Sequence, residues 1–87
     1  MQVEVIVWHH KRRTVTPPYS ASAYLVDLSL PEARQVIAAG SCDAADGELL
    51  AAREALRNLQ NRLTLPEYRA LVDGALTAPE RVIRERR

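Results

Sequence analysis

The sequence lacks most of what a catalytic, metal-binding or membrane protein displays. Its one cysteine, Cys42, excludes a disulfide within the chain. A single free thiol is compatible with a reducing compartment. The only histidines, His9 and His10, are adjacent. Neighbours on a strand point to opposite faces, so this pair is poorly placed to share a metal ion. No HxxxH, CxxC or mixed Cys/His spacing accompanies them. The three glycines, Gly40, Gly47 and Gly74, are scattered, which excludes a glycine-rich phosphate loop. No apolar run approaches the roughly 20 residues of a membrane span. The N-terminus has no charged n-region or cleavage pattern, so no signal peptide is expected, and the cytoplasm is the default location.

Catalytic constellations are equally thin. Ser20, Ser22 and Cys42 are candidate nucleophiles, and His9 and His10 are candidate bases. No spacing in the sequence holds a nucleophile against a base. Asp43, Asp46 and Glu48 cluster just before a helical segment, where negative charge offsets the helix dipole. That role explains them without catalysis. No catalytic residue, metal ligand or cofactor is assigned, and a non-enzymatic role is expected.

At 87 residues the chain fits one domain, residues 1–87. A hydrophobic fraction of 47% with 26% charged residues is that of a folded soluble domain rather than a disordered one. The net charge of +1 implies no partner by itself. The basic residues are unusual in kind: eleven are Arg and one is Lys. Arg carries a planar donor fork suited to interfaces and phosphates. A GC-rich coding bias produces the same enrichment.

Residues 2–8, QVEVIVW, alternate with a period of two and are rich in β-branched side chains, which indicates a strand. Ile6 and Trp8 make its second face partly apolar. HHKRR and TVTPP follow, a basic stretch and a proline-bearing loop. A second strand is expected at about 19–28. Ser29-Leu30-Pro31-Glu32, Thr64-Leu65-Pro66-Glu67 and Thr77-Ala78-Pro79-Glu80 share one helix-start pattern. In it Ser or Thr caps, Pro occupies the first turn and Glu reaches back to the cap. The clearest helix has Leu49, Ala52, Leu56, Leu59 and Leu63 on one stripe, with Asp43 or Asp46 as its cap. The expectation is an α+β fold: an N-terminal antiparallel β-hairpin (about 2–8 and 19–28) packed on three to four helices (about 30–39, 46–63, 65–76 and 79–86).

Three surfaces remain uncommitted. The hairpin tip carries His9, His10, Lys11, Arg12 and Arg13 between Trp8 and Tyr19. The acidic connection carries Asp43 and Asp46. The C-terminus carries Arg81, Arg84, Arg86 and Arg87. Arg and the aromatic residues are enriched at interface hot spots. The leading expectation is therefore a small protein-binding module, an inhibitor or modulator of a larger protein or nucleoprotein complex. In size and build the chain resembles small accessory proteins of phages and mobile elements, a resemblance no motif carries. The alternative is nucleic-acid binding through the two basic clusters, since aromatic and basic groups together hold single strands. A homodimer through a free hairpin edge is a further option. No membrane partner is expected.

Overall fold

The computed structural model describes residues 1–10 and 17–86, with all side chains among them except those of residues 85 and 86. The fold is α+β. Strands β1 (Gln2–His9), β2 (Tyr19–Val26), β3 (Val36–Ala44) and β4 (Ile83–Arg86) form one sheet, and helices α1 (Glu48–Asn61) and α2 (Pro66–Thr77) pack on it. The strand order is β3-β2-β1-β4. β1 pairs antiparallel with β2, from Gln2 opposite Val26 to His9 opposite Tyr19. β2 pairs antiparallel with β3, and β1 pairs parallel with β4.

The expected hairpin is present, and its alternation decides which face is buried. Val3, Val5 and Val7 of β1 and Ala21, Ala23 and Leu25 of β2 form the floor of the core. Leu56, Leu59 and Leu63 from the α1 segment close it, with Val72 and Ala75 from α2. Complete burial of a Leu such as Leu56 or Leu59 contributes about 1.5–3 kcal/mol.

α1 lies unusually close to the sheet because both surfaces carry small side chains. Ala51, Ala52 and Ala55 face Ala21, Ala23 and Gly40, and all are buried. At Gly40 helix and strand backbones meet directly. A Cβ there would fall 2.7 Å from Leu59 Cα and 2.8 Å from Ala55 O, and would overlap Leu59 N. α1 begins at Gly47, whose φ of 123° favours glycine, and no side chain caps it. Neither Asp43 nor Asp46 therefore caps α1. At its other end Arg69 of α2 donates from Nη1 to Gln60 O (2.9 Å) and Leu63 O (3.1 Å). These bonds satisfy terminal carbonyls and fix the corner between the helices.

Two expected helices are corrected to strands. Residues 30–39 hold a single 3₁₀ turn, Glu32–Arg34, and then β3. Residues 79–86 hold a 3₁₀ turn, Pro79–Arg81, and then β4. Among the described residues the fold therefore has two α-helices, not three or four. Proline does open each helical turn, but none of the three starts has a side-chain cap bond. Ser29 instead donates its hydroxyl (2.6 Å) and its N–H (3.0 Å) to Asp27 Oδ1. The hydroxyl bond first, and the N–H bond second, hold the Asp27 carboxyl below its ordinary range. Thr77 donates to Gly74 O.

Among the described residues the two hairpin strands are the inner strands of the sheet. β4 covers the outer side of β1 and β3 that of β2. The sheet edges among the described residues are β3 and β4, with the ends of β1 beyond Val5–Val7 not paired by β4.

Candidate interaction surface

Both helices pack against the Val3–Val5–Val7 face, and among the described residues no element covers the opposite face of the sheet. Register places its residues in rows. Trp8, Ser20 and Asp43 form one, Ile6, Ser22 and Ser41 the next, and Glu4, Tyr24 and Ala39 a third. Each is half-buried or exposed. The centre of this face is thus a strip of Ile6, Trp8 and Tyr24 among small side chains. Beyond it, at the start of β3, Val36 is 55% and Ile37 40% exposed. Aromatic residues beside small polar ones are typical of contact surfaces, because they bury large area at low entropy cost.

The end of the sheet at the hairpin tip gathers several sequence-predicted residues. His9 stacks on Tyr19, ring centroids 4.5 Å apart and nearly parallel. Trp8 and His10, two positions apart, share the uncovered face. His10 Nε2 lies 2.6 Å from Ser20 Oγ, and the His10 N–H donates to Pro18 O at 2.6 Å. The structure thus joins a candidate nucleophile to a candidate base that the sequence left apart. The contact is incomplete as a catalytic unit. Among the described residues no carboxylate bonds the second ring nitrogen of His10. Asp43 sits on β3, on the far side of Ser20 from β1. Asp43 and Asp46 are both exposed, Asp46 in the turn before α1.

The parallel pairing of β4 brings distant charges to one end. β1 runs toward the hairpin tip and β4 runs beside it, with Arg86 in register with Val7. The Arg-rich end therefore approaches the end of β1 from which His10 leads into Lys11, Arg12 and Arg13. Those three residues and Arg87 lie outside the described residues, as does the side chain of Arg86. Arg84 is 3.9 Å from Glu4 Oε1, which also accepts from Gln2 Nε2 at 2.8 Å. At that distance and exposure the pair contributes little.

Cys42 faces the helix side, next to Ala21, and is partly buried. Its Sγ donates to Asp43 O at 3.2 Å. Burial first, and then the carboxylates of Glu54 and Asp43, raise the thiol above its ordinary range. That is the opposite of an activated nucleophile. Among the described residues no three His, Cys, Asp or Glu side chains gather in a way that could hold a metal ion, and no helix is long and apolar enough to cross a membrane.

Ala39 and Ser41 were not legible as site residues, because residues 30–39 read as a helix and the chain after them as a connection, where β3 in fact runs through both. The signal that could have revealed them is Val36-Ile37, a β-branched pair directly after a proline-initiated turn. No protein-family model matches this chain, and no curated protein or solved structure matches it.

Proposed function

We propose that the chain is a small non-catalytic protein-binding module that inhibits or modulates a larger protein or nucleoprotein complex. The observation that supports this reading is the uncovered sheet face, with Ile6, Trp8 and Tyr24 in its central strip. A four-stranded sheet of this kind ordinarily buries one face and solvates the other with polar residues. Here the second face places an aromatic pair and an isoleucine where a partner can reach them. The face spans about 14 Å across four strands at 4.8 Å spacing and about 25 Å along the longer strands. That extent is compatible with a small contact, about 350 Å² per partner before side-chain relief, enlarged by the tip residues to the lower range of transient interfaces.

Nucleic-acid binding is the second reading. It draws support from the parallel β4, which runs Arg84 to Arg86 beside β1 in the direction of His9 and His10. Phosphate contacts would make such binding fall steeply with salt.

Affinity purification from the native host, followed by mass spectrometry, tests the leading reading. The double variant Trp8→Ser, Tyr24→Ser should lose the recovered partner. A control variant on the exposed side of α1, Arg53→Glu with Arg57→Glu, should retain it. Loss with the helix variant and retention with the sheet variant would overturn the reading. Salt-sensitive binding of short DNA or RNA, without any protein partner, would favour the second.

A further inference from the structure

An open groove of about 300 Å³ lies between the C-terminal half of α2 and the sheet, lined in part by Gln2 of β1. Its apolar surface comes from Val3, Ala75 and Val82, with Leu71 beside them. Val3 and Ala75 belong to the core, while Leu71 is 40% exposed. Two guanidinium groups, Arg81 and Arg84, line the same groove. Arg81 has no ion pair among the described residues, and Arg84 has only the long contact to Glu4.

Gly74 adds an independent observation. It sits inside α2 and lines the groove. Its φ is not positive, and a Cβ there would meet nothing within 4 Å. Neither backbone conformation nor internal packing therefore requires glycine. Glycine is also the poorest helix former after proline. What it does provide is bare helix backbone along an open groove, a surface that something outside the chain can approach closely.

We infer that this groove binds a small carboxylic acid with an apolar body, its chain or ring lying along Gly74 and Leu71 and its carboxylate meeting Arg81 and Arg84. Arg presents paired donors matched to a carboxylate. A volume of 300 Å³ is at the small end of ligand sites, which favours a compact acid over a long peptide. The site borders the uncovered sheet face, since Gln2 lines it and Arg84 contacts Glu4 of that face, but it does not depend on the function proposed for that face.

Titration of the full chain with octanoate, followed by amide chemical shifts, tests this directly. Octanoate should shift Gly74, Ala75 and Val82 saturably, with a dissociation constant below about 1 mM. Octanol, which lacks the charge, should bind about 10-fold more weakly, and Arg81→Gln with Arg84→Gln should abolish that difference. Gly74→Leu fills the groove and should weaken octanoate about 10-fold while the melting temperature holds or rises, because leucine is the better helix former. Absence of saturable shifts, equal binding of octanol, or unchanged affinity in a folded Gly74→Leu protein would overturn the proposal. Tighter binding of the peptide acetyl-Leu-Glu-Leu-amide than of octanoate would overturn its small-molecule assignment.

Discussion

Gly40 and Leu59 meet backbone to backbone, so that any side chain at Gly40 would collide with α1. The helix cannot retreat cheaply, because Ala51, Ala52, Ala55 and Leu56 are buried on the same surface. Gly40→Ala should therefore destabilise the fold by about 3 kcal/mol, the upper end of the cost of overpacking. Urea unfolding measures it. A loss below about 0.5 kcal/mol would show that α1 sits further from β3 than described.

Gly74 makes the opposite case. Nothing occupies the space beside it, and its backbone is helical. Gly74→Ala should stabilise the protein by about 0.5–1 kcal/mol through helix propensity alone. The two glycines thus predict shifts of opposite sign in the same unfolding experiment.

The Cys42 thiol should ionise only at higher pH than an ordinary thiol. A raised folded-state pKa means that the native protein holds this proton more tightly than the unfolded chain does. Its contribution to stability is present below the unfolded thiol pKa and is lost as pH rises toward the folded value. The pH midpoint for alkylation by iodoacetamide should accordingly lie higher in the native protein than in urea. Glu54→Gln should lower the native midpoint, because it removes one of the carboxylates that oppose the thiolate. Equal native and unfolded midpoints would contradict this.

β4 protects the edge of β1. Val5 N–H donates to Val82 O at 2.9 Å, and the pairing continues through Ile6 and Val7. Truncation after Arg81 would leave a valine-rich strand with an unpaired edge, a template for association. Light scattering should then show a larger oligomeric or aggregated fraction than the full chain gives at the same concentration. A truncated protein with the same mass and melting temperature as the full chain would mean that β4 is dispensable.

The hairpin was legible because burial on one side writes a period of two into β1 and β2. α1 was legible because Ala52, Leu56 and Leu59 repeat on one helical face. β3 was hidden behind Pro31-Glu32, whose local chemistry begins a helical turn. Only a single 3₁₀ turn follows, since Val36 and Ile37 prefer a strand and β2 supplies a partner. β4 exists through a pairing with β1 across nearly eighty residues, which no local pattern reports. The site shares that limit. Trp8 and Ile6 stood out in the sequence, but their rows with Ser41 and Asp43 depend on β3, and the course of Arg84 and Arg86 beside β1 depends on β4.

The most direct measurement of the central claim is hydroxyl-radical footprinting of the chain, free and in complex with the partner recovered from its host. Trp8 and Tyr24 lie on the uncovered face, whereas Tyr68 lies on α2 against the core. The account predicts that complex formation protects Trp8 and Tyr24 from oxidation and leaves Tyr68 unchanged. Protection of Tyr68 with Trp8 and Tyr24 unaltered would place the contact on the helical side and contradict it.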